Sequence, residues 1–231
     1  MPYSKTMSPD EWVRKNKKRI AREILSKYND AISESPAGIF TAGLPGAGKT
    51  EFATELVDAL QTRPIRIDMD ELAKSIEGYS PEIADSFRRS ASNLLQEIYT
   101  KTIRSKTDFV FDGTLSHPRA IENIERALKR NYTVKVYYVH QRPEIARQFT
   151  IDRELVEKRG IDRLKFIETY QKLYENLLLI QSSGLPITLS VVVKDDKNRE
   201  KKRYENVTNI VDIIGEPLVR DELERVIIEK L

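Results

Sequence analysis

Eight consecutive residues, Gly43-Leu44-Pro45-Gly46-Ala47-Gly48-Lys49-Thr50, satisfy the spacing G-x-x-x-x-G-K-[ST] in full. They stand between a short apolar run, AGIFTA at 37–42, and an amphipathic stretch from Lys49 to about Leu60. The order predicted is therefore buried strand, glycine-rich turn, helix. Gly43, Gly46 and Gly48 let the backbone curl with its N–H groups inward, and the helix start at Lys49 adds the positive end of its dipole. All eight residues are expected to cradle the phosphates of a nucleotide, with Lys49 between the β- and γ-phosphates and the Thr50 hydroxyl on Mg²⁺. The plainer alternative is a glycine-rich strand-to-helix turn that holds no ligand.

Composition removes several competing chemistries. The chain has no cysteine and only two histidines, His117 and His140. Disulfides, thiolate nucleophiles and histidine-built metal clusters are excluded, so hydroxyls, carboxylates, amines and guanidiniums must do the work. The 39 basic and 36 acidic side chains nearly cancel to +3, which argues against nucleic-acid binding by bulk charge. Lys15, Lys17, Lys18 and Arg19 lack interleaved aromatics, so a nucleic-acid partner is not expected. No run approaches the roughly 18 to 20 apolar residues of a membrane helix. The start of the chain mixes Lys5, Asp10, Glu11 and Arg14, and a cytoplasmic protein without a membrane partner is expected.

Apolar strand-like runs at 37–42, 65–68, 109–112, 133–139 and 187–193 alternate with helical patterns at 49–60, 118–130, 144–158 and 162–181. Ser8-Pro9-Asp10-Glu11 reads as a capping box that opens a helix to about Lys27. Ser80-Pro81-Glu82 repeats that chemistry before a long helix to about Arg104. The charge run DDKNREKKR at 195–203 reads as a solvated loop, and a last helix carries Leu218, Leu223, Val226 and Ile227. No linker or repeat divides residues 1–231, so one α/β domain is expected: a P-loop-type fold with a mostly parallel sheet of about five strands, helices on both faces, an N-terminal helical segment 1–36 and an arginine-bearing lid at 142–163.

In a parallel sheet ligands gather beyond the carboxyl ends of the strands. The second strand ends Asp68-Met69-Asp70, and two-residue spacing would aim both acids to one side. Asp70 fits a general base that orients an acceptor hydroxyl, or else a cap on the helix beginning at Glu71. Asp112, at the end of FVFD, fits a carboxylate facing a Mg²⁺ water, or a cap for the helix after His117-Pro118. The missing second acid after Asp112 favours transfer to a bound acceptor over hydrolysis. Arg142, Arg147, Arg153, Arg159 and Arg163 would close over a triphosphate, or pair with Glu144, Asp152, Glu154 and Glu157 in a surface network. Gly160 would let that segment hinge. His117 is a candidate contact for the acceptor.

Taken together, ESPAGIFTAGLPGAGKT, IDMDELAK, FVFDGTLSHPRAIENIERALKRNYTVKVYYV, TIDRELVEKRGI and FIETYQKLYENL resemble the zeta-toxin-like kinases of the P-loop superfamily, over most of residues 8–195. The resemblance implies an ATP- and Mg²⁺-dependent kinase acting on a small-molecule hydroxyl, UDP-N-acetylglucosamine or a related sugar nucleotide, and a small helical antitoxin as a partner. It assigns phosphate gripping to Lys49, metal binding to Thr50, catalysis to Asp70 and the lid roles to Arg153 and Arg159, with Arg163 competing for the last, beside the metal role read for Asp112 from its place after the third strand. Two departures stand out. Asp112-Gly113-Thr114 replaces Glu-Gly-Thr, and the family's sugar-contacting glutamate aligns nearest Gln96, with Glu97 beside it. Asp68, Gln96, Glu97, Thr114 and His117 are the expected substrate-side residues. A kinase for polynucleotide ends or another small molecule, and a nucleotide-binding switch without transferase activity, are the alternatives.

Overall fold

The computed structural model describes residues 7–60, 62–157 and 160–228. Ser8 caps helix α1 (Pro9–Leu25) as a capping box, its Oγ accepting from the Glu11 N–H while the Glu11 carboxylate accepts from the Ser8 N–H. Strand β1 (Ala37–Ala42) runs into the glycine loop and helix α2 (Lys49–Ala59). Strand β2 (Ile65–Asp68) leads into the short helix α3 (Met69–Lys74). The long helix α4 (Ala84–Ser105) precedes strand β3 (Phe109–Asp112), and helix α5 (Ala120–Leu128) precedes strand β4 (Thr133–His140). Helices α6 (Pro143–Glu157) and α7 (Arg163–Ser182) follow, then strands β5 (Ile187–Lys194) and β6 (Glu200–Tyr204) and helices α8 (Val211–Ile214) and α9 (Arg220–Ile228).

The strands form one sheet in the order β2-β3-β1-β4-β5-β6, parallel except for β6. β1 is therefore central, and the loop that follows it opens at the middle of the sheet's carboxyl edge. Successive residues of β4 show that both faces are covered. Tyr138 meets Tyr174 of α7 at 6.2 Å between ring centroids, whereas Tyr137 meets Phe52 of α2 at 5.2 Å. Tyr99 of α4 packs edge-on against Phe40, Phe109 and Phe111, closing the core over β1 and β3. Among the described residues no helix is long and apolar enough to cross a membrane.

Two expectations are corrected, and one short helix is added. The sheet has six strands, because the charge run at 195–203 is a turn followed by the antiparallel edge strand β6. Its sequence EKKRY carries no apolar alternation; charged, exposed residues are what an unpaired sheet edge tolerates. Ser80 makes no side-chain cap: Pro81–Ile83 form a 3-10 turn and α4 begins at Ala84. The short helix α8 had no apolar period long enough to be read.

Candidate active site

The glycine loop has the backbone its sequence requires. Gly46 and Gly48 sit at φ +80° and +77°, a left-handed region that side-chain-bearing residues rarely adopt. A Cβ at Gly46 would lie 2.1 Å from the Ala146 carbonyl oxygen in the first turn of α6, and one at Gly43 would lie 2.5 Å from the Val139 carbonyl oxygen. Gly46→Ala is therefore expected to lower the unfolding free energy by about 2 kcal/mol or more, read by urea titration, since both φ and contact oppose the methyl. Gly48 is the N-cap of α2 and no side chain caps that helix, so its first-turn N–H groups face the cradle without a side-chain partner.

Lys49 is half-buried at the start of α2, and its Nζ donates to the Leu44 carbonyl at 2.6 Å. Burial pushes its ammonium down to about 8, and the Arg153 guanidinium pushes the same way, while Asp112, Glu51 and Asp70 pull upward. Those four charged side chains thus converge electrostatically on Lys49. A lysine depressed below its unfolded value of 10.5 releases its proton on folding between about pH 8 and 10.5, so its contribution to stability improves as pH rises through that window. The isosteric variant Lys49→Met should unfold at a higher temperature than the parent near pH 7, and the difference should shrink as pH is raised past 8.

The acids divide into two roles. β2 and β3 pair in a register that sets Asp68 directly beside Asp112, a repulsive placement. Arg66 relieves it, its guanidinium lying 3.2 Å from Asp68 Oδ2 and 2.6 Å from Asp112 Oδ2. Burial, with Asp112 second, still holds the Asp68 carboxyl above the usual range. Asp112 also accepts from the Thr41 hydroxyl at 3.0 Å. Asp68 is the cap of α3, accepting from the N–H groups of Asp70 and Glu71 at 2.8 and 3.3 Å. The cap role considered for Asp70 is thereby filled by its neighbour. The strand ends at Asp68, so the two acids do not share a strand face; Asp70 stands in the first turn of α3, half-buried.

The lid arginines also separate. Arg142 reaches Asp196 at 2.7 Å. Arg147 donates to the Ile161 carbonyl at 2.5 Å and lies over the Phe166 ring, pinning α6 to the segment before α7. Arg163 pairs with Glu224 of α9 at 3.0 Å. Arg153 acts on Lys49 electrostatically, lowering its proton affinity. Arg159 lies outside the described residues. Gly160 lies against the carboxylate of the exposed Glu154 side chain, which would have to swing aside for a Cβ.

Of the substrate-side residues, Thr114 is beside the loop, its carbonyl accepting from the Gly43 N–H at 3.3 Å. His117 Nδ1 accepts from the Arg119 N–H at 3.1 Å, which caps the turn before α5 in place of Asp112. Burial, then Arg119 and Lys165, holds its imidazole below the usual range. Gln96 and Glu97 are engaged elsewhere, Gln96 with Arg126 of α5 at 3.0 Å and Glu97 with Lys17 of α1 at 3.4 Å. Neither is aimed at the loop by these contacts. Sequence reasoning missed Arg66 and Thr41. Alternation along β2 does put Arg66 on the face of Asp68, and that signal was readable.

The family model described as Zeta toxin matches residues 22–208. The chain belongs to the zeta toxin family. Among solved structures it resembles one from the PezAT chromosomal toxin–antitoxin system of Streptococcus pneumoniae, at 18% identity and TM-score 0.68, covering 96% of this chain and 95% of that one. An AvrRxo1-ORF1:ORF2 complex solved with ATP is similar at 15% identity and TM-score 0.63, over 96% and 75% of the two chains. A putative kinase from Chloroflexus aurantiacus follows at 16% identity and TM-score 0.50, over 69% and 85%. At such identities the likeness speaks for the fold alone. No curated protein matches the sequence. The zeta toxin match stops before α8 and α9.

Proposed function

We propose that this zeta toxin family member is a kinase that moves the γ-phosphoryl group of ATP to a hydroxyl of a small molecule. The observation that carries the reading is the glycine loop itself, with Gly46 and Gly48 at positive φ ahead of the start of α2 that no side chain caps, Lys49 in that first turn, and Asp70 and Asp112 just after β2 and at the end of β3. Lys49 and the first-turn N–H groups of α2 would grip the phosphates. Asp70 would align the acceptor hydroxyl and take its proton as the oxygen attacks, and Arg153 would offset charge gathering on the transferred group. The residues present fit a Mg²⁺ ion, because Thr50 is exposed in the first turn of α2 and such ions take most ligands from phosphates and water. When bound, the ion would neutralise phosphate charge.

The acceptor is proposed only as a hydroxyl-bearing small molecule. A sugar nucleotide such as UDP-N-acetylglucosamine is the family-derived candidate, and the engagement of Gln96 and Glu97 in helix packing gives it no support at those positions. The PezAT likeness supports an antitoxin protein as a partner. Incubation with labelled ATP, Mg²⁺ and a panel of hydroxyl acceptors, read by mass spectrometry, should show one acceptor gaining a single phosphate and no gain with Lys49→Ala. Nucleotide binding without transfer to any acceptor would instead make the chain a switch.

A further inference from the structure

We propose that the turn joining β5 to β6 is a clamp on the phosphate loop, with Asn198 and Gln141 as its positioning residues. The proposal rests on the kinase reading for its consequence, and on hydrogen bonds for its geometry.

Asn198 stands at the tip of the hairpin with φ +61°, a left-handed conformation that asparagine tolerates better than most residues. Its Nδ2 donates to the Gly46 carbonyl at 3.2 Å, across 152 positions of sequence. Its side-chain oxygen accepts from Gln141 Nε2 at 3.3 Å, an arrangement that fixes which end of the Asn198 amide faces the loop. Gln141, the residue after β4, is 2% exposed. Its amide group is fully used: Nε2 also donates to the Asp195 carbonyl at 2.7 Å, and Oε1 accepts from the Arg142 N–H at 2.8 Å. Asp195 in turn accepts from the N–H groups of Lys197 and Arg199, both at 2.9 Å, so the turn itself is knit. A buried amide with every partner in place specifies one arrangement and is costly to leave half-satisfied.

The contact acts on the part of the loop that needs holding. Three glycines within six residues give the loop many accessible backbone states. In a trans peptide the carbonyl and the next N–H point in opposite directions. Holding the Gly46 carbonyl against Asn198 therefore turns the Ala47 N–H to the other side, where it meets the Leu44 carbonyl that also accepts from Lys49. Ala146 of α6 presses on Gly46, and the Asn198 amide lies 3.0 Å from where a Cβ of Gly48 would stand. The loop is thus held between α6 and the hairpin, so its backbone around Gly46 is fixed before any ligand arrives.

Asn198→Gly keeps the left-handed turn and removes only the amide, and Gln141→Met keeps size without hydrogen bonding. Both are measured by amide hydrogen exchange over residues 43–50, by calorimetric titration with ATP·Mg²⁺, and by kcat and KM, with thermal unfolding as the check on fold. The expected result is faster exchange in the loop, ATP affinity reduced about three- to tenfold, and kcat changed less than affinity. Unchanged loop exchange in a folded Asn198→Gly protein overturns the clamp. Faster exchange with unchanged ATP affinity overturns its role in positioning. A parent protein that binds no ATP overturns the kinase reading and with it the nucleotide consequence, while the exchange data still decide the clamp.

Discussion

Replacing Arg153 with alanine is expected to cut turnover by about 10³- to 10⁵-fold with a much smaller change in ATP affinity, the loss typical when a guanidinium that meets charge developing on a phosphoryl group is removed. The assignment comes from sorting the arginines of 142–163 by what they already do. Arg142, Arg147 and Arg163 are engaged with Asp196, the Ile161 carbonyl and Glu224. Arg153 bears on Lys49 electrostatically, helping to depress its proton affinity. Arg163→Ala is the matched control: it unpairs α7 from α9 at an exposed ion pair, so turnover should stay within a few fold. Steady-state kinetics of both variants with a common acceptor decides the matter. Equal losses in the two would show that α9 anchorage of the lid matters more than any single guanidinium.

Asp70→Asn should lower turnover by about 10²- to 10⁴-fold while ATP binding stays within a few fold. The substitution is isosteric, and helix α3 does not rely on it, since Asp68 supplies the cap. Loss of activity at an unchanged unfolding temperature would report on the carboxylate rather than on the fold. Asp68→Asn makes the contrast. Asparagine caps a helix about as well as aspartate and removes the charge set beside Asp112, so its expected signature is an unfolding temperature at or slightly above the parent's near pH 7 with chemistry largely retained. If Asp70→Asn turned over at the parent rate, proton acceptance would have to be assigned elsewhere, and a loose transition state needing little base help would be the simplest account.

How much of this was legible in the sequence depends on how far apart the interacting residues are. The glycine loop needed only local rules: an apolar run, three glycines and a Lys-Thr at a helix start define a strand, a positive-φ turn and an uncapped helix end, and β1 and α2 appear with the expected starts. The Ser8 box was equally local. The placement of Asp70 and Asp112 at the carboxyl edge followed from a general property of parallel sheets. By contrast, the Arg66–Asp112 pair spans 46 positions and the Gln141–Asn198 pair spans 57. No periodicity encodes such contacts. β6 was invisible because its strand character comes from pairing with β5, not from its own charged residues.

The sequence by itself determined that a glycine-rich strand-to-helix turn would form and that acids would follow the neighbouring strands, because backbone preference and apolar patterning act over a few residues. Only the tertiary structure decided which acid caps a helix, which arginine faces Lys49 and which loop amide holds Gly46. Those outcomes are competitions for hydrogen bonds and counter-charges among groups brought together by folding, and each is settled by distance in space rather than along the chain.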